Sequence, residues 1–142
     1  MDVVIRDATM EDSSELLQLS NKLIPLADWS SRRVMLEQSL QDPNSTIYVS
    51  EVENKIVGFI EERFFPDFVE GSTLSIIQSL MVDAKYRKQG IGTKLLQKAI
   101  EESERKAVLE VHVWTEFSNE QARNFYVKHG FSKSALLLEK PN

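Results

Sequence analysis

Four positive side chains, Lys85, Arg87, Lys88 and Lys94, crowd around Gly90 and Gly92 in a chain whose net charge is -5. The segment reads Val82-Asp83-Ala84-Lys85-Tyr86-Arg87-Lys88-Gln89-Gly90-Ile91-Gly92-Thr93, a β-rich run passing through a turn into a helix-patterned stretch. The first amides of a helix have no intrahelical acceptor and carry a partial positive charge, so a helix start is a natural seat for an anion. Glycine adds the freedom to fold those amides into a tight cradle and removes the Cβ atoms that would hold a phosphate away. The chemistry read here is phosphate binding; the plainer reading is a glycine-broken helix start with solvated basic side chains. There is no cysteine, which excludes a thiolate nucleophile, a thiolate metal site and disulfides, and the two histidines lie far apart, so no metal is expected.

The elements that must hold this turn follow from periodicity. Leu74 to Val82 is nearly continuous apolar, β-branched sequence, which predicts a strand buried on both faces at the centre of a sheet. Beyond the turn, Ile91, Leu95, Leu96, Ala99 and Ile100 form one stripe of a helix running from about Gly90 to Arg105. Upstream, Val3 to Arg6 reads as a strand, and Thr9 with Asp12 resembles a capping box opening a helix that Pro25 closes. A second helix starts at Ser30 or Ser31 and runs to about Leu40. Ile47 to Val52 and Ile56 to Phe65 read as a hairpin, and Pro66 to Gly71 as a loop. Downstream, Val108 to Trp114 alternates as a strand. Ala122, Phe125, Tyr126 and His129 share one side of a helix that Gly130 ends, and Phe131 to Leu138 is expected as a final strand.

Length and composition limit the classes of function. A chain of 142 residues fits a single domain over residues 1–142. Its 42% hydrophobic and 27% charged residues disfavour disorder, and no apolar run reaches the length of a membrane span, so no membrane association is expected. The net negative charge argues against nucleic acid as a partner. The acidic start lacks the pattern of a signal peptide, and the expected location is cytoplasmic.

Arg87, two intervening residues, Gly90, one residue and Gly92 resemble the acyl-CoA signature of the GNAT superfamily of N-acetyltransferases. Two further stretches, Ile5-Arg6-Asp7-Ala8-Thr9 and Ile56-Val57-Gly58-Phe59, resemble that family's first and third strands. A second motif stands at Ser118-Asn119-Glu120-Gln121-Ala122-Arg123-Asn124-Phe125-Tyr126, continuing to Phe131. The resemblance implies an α/β fold, a mixed and mostly antiparallel central sheet flanked by about four helices. It also implies transfer of the acetyl group of acetyl-CoA, as cosubstrate, to a primary amine by direct attack. Backbone groups of Leu80, Met81 and Val82 would pair with the pantetheine arm, and those of Arg87, Lys88, Gln89, Gly90, Ile91, Gly92 and Thr93 would hold the pyrophosphate. Asn119 and Tyr126 would lie near the thioester, and the seven-residue spacing puts both on one helix face. The plainer readings are that Asn119 caps a helix and Tyr126 packs in the core.

Acetyl transfer needs an acid for the leaving thiolate and a base for the attacking ammonium. Tyr126, as a phenol, can serve as the acid. At the place where many such enzymes carry a glutamate on the fourth strand, this chain has Gln78, an amide that cannot take the proton. The resemblance points instead to Glu110 or, with the alignment shifted by two, to His112; on an ideal strand both face one side. Glu61 and Glu62 are outside candidates. The acceptor is left open among a small-molecule amine, a peptide N-terminus and a lysine. Phe65 to Gly71 resembles a loop of aminoglycoside 6'-acetyltransferases, and homodimers are common in the family. The alternative is a non-catalytic acyl-CoA-binding or sensing domain of the same fold.

Overall fold

The computed structural model describes residues 1–142. In chain order it contains β1 (Val4–Asp7), a 3-10 turn (Met10–Asp12), α1 (Ser13–Leu23), α2 (Ser30–Gln41), β2 (Ser45–Val52), β3 (Lys55–Asp67) and β4 (Ser72–Val82). A second 3-10 turn (Ala84–Tyr86), α3 (Ile91–Arg105), β5 (Val111–Val113) and α4 (Glu120–Lys128) follow. The five strands lie side by side in chain order, antiparallel except for the parallel pair of β4 and β5.

Helices cover both faces because the strands are apolar on both. Val57, Ile60 and Ile77 meet the stripe of α3 formed by Ile91, Leu95, Leu96 and Ala99, with Tyr126 of α4 joining them. On the opposite face, Leu16 and Leu19 of α1 pack on Val49, Ile56, Phe59 and Met81. α2 has no fully buried residue and closes that face only through half-buried side chains such as Leu36. At the helix entry the expected capping box forms, with the Thr9 amide donating to Asp12 Oδ2 at 2.8 Å.

Two features of the sheet shape the site. Between β3 and β4 the register jumps from Glu61↔Ser79 to Glu62↔Ile77, so Gln78 has no partner and bulges out of β4. A bulge bends its strand. The ladder of β4 with β5 contains three pairs and ends at Ile77↔Val113, next to that bulge.

Three expectations need correction. β4 is not the central strand but the fourth of five, and β5 covers only three of its residues. The strand expected at Val108 to Trp114 shrinks to Val111–Val113 because Val108 is drawn into the end of α3, its amide donating to the Ser103 carbonyl at 3.0 Å. The strand expected at Phe131 to Leu138 does not form. Three consecutive leucines break the alternation a one-sided strand needs, and Leu136 and Leu138 are left 85% and 83% exposed.

Candidate active site

Asp83 sets the turn after β4. Its buried carboxylate accepts the Lys85 amide at 3.1 Å and the Lys22 ammonium at 2.8 Å, and these donors, Lys22 foremost, hold it below its ordinary pKa. Lys88 (φ 62) and Gly90 (φ 80) then take left-handed conformations that fold the chain back toward α3. Across this curve no backbone N–H from Arg87 to Thr93 donates to any group of the protein, and the first helical bond of α3 runs from the Lys94 amide to the Gly90 carbonyl at 3.1 Å. Seven consecutive free amides beside exposed Lys85, Arg87 and Lys88 fit a pyrophosphate. A Cβ built on Gly92 would touch Phe125 and Val82 at 3.8 Å, ordinary contact, so internal packing does not demand glycine there. Arg87 lies back on β4, its Nε donating to the Val82 carbonyl at 3.0 Å.

Upstream of the turn, β4 offers an open edge. Leu80, Met81 and Val82 pair with Ile60, Phe59 and Gly58 of β3, while on the other side β5 has already parted from β4. The free backbone groups of this stretch can take an amide-bearing arm as an added strand.

Tyr126 is 9% exposed on the α3 face, its ring edge-on to Phe125 at 5.2 Å and to Phe131 at 5.4 Å. Burial pushes its phenol up to about 12, so it is protonated at neutral pH. Asn119 does not share a helix face with it. Asn119 stands before α4 with ψ 78 and spends its Oδ1 on the Ala122 amide at 3.1 Å, so it is an N-cap and helical periodicity does not extend to it.

Glu110 and His112 form a pair, Oε1 to Nε2 at 2.7 Å, and His112 together with Lys133 lowers the pKa of Glu110. Val111 and Val113 pack on the Tyr126 side, so strand alternation puts Glu110 and His112 on the opposite face of the sheet. They line a cavity of about 570 Å³ between β5 and the C-terminal tail. His112 is level with Ile76, one residue short of the point where β4 and β5 part. Gln78 is exposed at the bulge.

Three features escaped sequence reasoning. Lys22 reaches Asp83 from 61 residues away. His129 Nε2 lies 3.3 Å from Thr93 Oγ1, tying α4 to the first turn of α3. Glu61 lines a second cavity of about 250 Å³ under α1 and α2. The sequence names Glu61 only as an outside candidate for the base; its cavity is formed by helices and strands that no local pattern brings together.

A family model described as acetyltransferase (GNAT) family matches residues 10–131. The chain belongs to this family, whose members move an acetyl group from acetyl-CoA onto an amine, and a domain without turnover is not favoured. It is 28% identical to an uncharacterized N-acetyltransferase of Methanocaldococcus jannaschii over 94% of this chain, and spans 62% of that relative's length. It is 30% identical to an N-alpha-acetyltransferase of Sulfurisphaera tokodaii, over 94% of this chain and 82% of the relative. Its fold matches an aminoglycoside N-acetyltransferase solved in complex with CoA, with a TM-score of 0.89 at 17% identity, covering 99% and 95% of the two chains. No helix is long and apolar enough to cross a membrane.

Proposed function

We propose that the chain binds acetyl-CoA along the open edge of β4 and the Arg87 to Thr93 turn, and transfers its acetyl group directly to a primary amine. One observation carries this reading: the β4 edge left without a β5 partner beyond Ile77 leads, through the paired amides of the Asp83 turn, to a run of seven unpaired amides, so one edge offers a strand partner and then an anion seat. In this reading Leu80, Met81 and Val82 receive the pantetheine amides, and Arg87, Lys88, Gln89, Gly90, Ile91, Gly92 and Thr93 surround the pyrophosphate. Asn119 holds the start of α4 and thereby places Tyr126.

The chemistry divides between the two faces of the sheet. On the far face, His112 takes the ammonium proton directly or through water, with Glu110 orienting its ring. The amine nitrogen then attacks the thioester carbon, the N–C bond forms and the C–S bond breaks. Tyr126 gives its phenolic proton to the leaving sulfur, and the phenolate recovers one from the new amide nitrogen by way of solvent. Gln78, exposed on the bulge, takes no part in the proton path. The loop acids Asp67 and Glu70 stand at the tip of the β3–β4 hairpin, six residues from Glu61 or roughly 20 Å along the strand, too far to touch an amine at the parting of the strands.

The reaction consumes a cytoplasmic metabolite, and the cytoplasm is where we place the protein. We place a homodimer contact at the outer edge of β5, which has no strand partner, with the exposed Leu136 of the tail close by. Titration calorimetry with acetyl-CoA tests the cosubstrate site: saturable binding of wild type that is lost in Gly92→Glu supports it, and equal affinity in both proteins overturns it.

A further inference from the structure

On the face of the sheet away from α3 and α4, a cavity of about 250 Å³ lies beneath α1 and α2. Its floor is Ile47 of β2, Phe59 and Glu61 of β3 and Ser79 of β4; its walls include Leu16, Leu23 and Met35. Eight of its thirteen lining residues are hydrophobic. Only two charged groups face it, and they differ in state. Arg32 is already engaged, donating to the Ile24 carbonyl at 2.7 Å and to Ser20 Oγ at 3.4 Å. Glu61 makes neither a hydrogen bond nor an ion pair, although Arg63 two residues along binds Asp42 at 3.0 Å. A half-buried carboxylate without a partner, on a floor shared with Ile47, Phe59 and the uncharged Ser79, is an open seat for a cation.

The place of this seat matters. Glu61 is level with Ser79, the residue next to the bulged Gln78 and just past the last β4–β5 pair. Side chains of directly opposed strand residues stand about 5 Å apart. Glu61 is therefore one strand removed from the gap through which the two faces of the sheet communicate, with the free amides of the turn on the far side of that gap.

Resting on the acetyl-transfer reading above, we propose that this cavity is the acceptor site and that Glu61 binds the acceptor's ammonium, which selects a monocation carried on an apolar body of a few carbons. A polycation is disfavoured, because Glu61 is the only acid lining the cavity and Arg32 stands on the same wall. The same chemistry is offered by an alkylamine and by a peptide N-terminus whose first side chain is aliphatic. Thirteen residues, twelve of them from five elements, build the cavity, so it selects the body beside the amine as well as the charge.

The test is a thiol-release assay on the full chain with acetyl-CoA and four acceptors: butylamine, hexylamine, a hexapeptide beginning with leucine, and spermidine. The expected order places hexylamine or the leucine peptide first, with kcat/KM rising roughly fourfold per added methylene until the cavity is full. Whichever of those two leads identifies the source of the amine. Glu61→Gln, isosteric and half-exposed, is expected to raise KM for the amine at least tenfold while calorimetric affinity for acetyl-CoA stays unchanged. Ser39→Phe, which fills the cavity from α2, is expected to penalise hexylamine more than butylamine. Spermidine as the best acceptor, or an amine KM unmoved in Glu61→Gln, overturns the assignment of this cavity while leaving acetyl transfer intact. Absence of thiol release with every acceptor, in a protein that binds acetyl-CoA, overturns the transfer reading and this proposal with it.

Discussion

Lys22 Nζ lies 2.8 Å from Asp83 Oδ2, joining the last turn of α1 to the residue that starts the turn between β4 and α3. Asp83 is almost fully buried, while the Lys22 side chain is 57% exposed. Substituting Lys22 with methionine leaves a buried carboxylate with the Lys85 amide as its nearest donor. The expected cost, reduced by the exposure of Lys22, is about 1 kcal/mol, read as a fall of several degrees in Tm. Weaker acetyl-CoA binding should accompany it, because the turn loses its anchor. The pH dependence has a definite sign: the pKa of Asp83 is lowered in the folded state, so its contribution is present above the ordinary carboxylate range and is lost as pH falls through the lowered value. Lys22→Met should therefore flatten the acid limb of the stability profile measured by thermal unfolding.

Gly90 and Gly92 should respond differently to alanine. Gly90 has φ 80, so Gly90→Ala strains the backbone by about 1 kcal/mol. Gly92 has room for a methyl group at 3.8 Å, so Gly92→Ala should fold with unchanged Tm. Gly92→Glu places a negative charge in the proposed pyrophosphate seat and should weaken acetyl-CoA binding by on the order of 100-fold. Unfolding curves and calorimetry on the three variants separate conformational strain from ligand repulsion.

Tyr126→Phe keeps the ring contacts with Phe125 and Phe131 and removes only the donor. Turnover should drop by ~10²–10⁴-fold with little change in KM for acetyl-CoA. Folded Tyr126 ionises at about 12 against an ordinary 10, so stability is complete below pH 10 and declines as pH rises toward 12. The phenylalanine variant should show a shallower alkaline decline. Some decline persists, because burial and the charge of Glu102 also raise Tyr48.

His112→Ala should lower kcat at neutral pH, with the loss shrinking as the buffer is made more alkaline and the amine deprotonates unaided. Glu110→Gln keeps the hydrogen bond to His112 but removes the charge, so a smaller loss is expected. Steady-state rates across pH for the two variants rank the roles; an unchanged rate in His112→Ala would return the proton to solvent.

The parts of the fold written in local pattern were legible in the sequence. α3 follows its Ile91, Leu95, Leu96 and Ala99 stripe, and β2 to β4 follow their β-branched runs, because periodicity and burial agree there. The turn at Gly90 was legible because its amides and glycines are neighbours in the chain. Pairing across distance was not legible: Lys22 with Asp83, and Glu61 with a cavity drawn from five elements, exist only once the sheet has formed. The bulge at Gln78 is likewise a property of the β3–β4 register, which no single strand encodes. Asn119 misled because a seven-residue spacing implies a shared face only inside a helix, and Asn119 stands outside one.

Amine-dependent release of free CoA thiol from acetyl-CoA separates an enzyme from a binding domain in one assay. The wild-type chain is expected to release thiol in proportion to a primary amine acceptor, to form an equal molar amount of N-acetyl product by mass spectrometry, and to lose both in Gly92→Glu and Tyr126→Phe. Tight, saturable acetyl-CoA binding with no amine-dependent thiol release across a broad amine panel would contradict acetyl transfer and identify a binding domain in place of an enzyme.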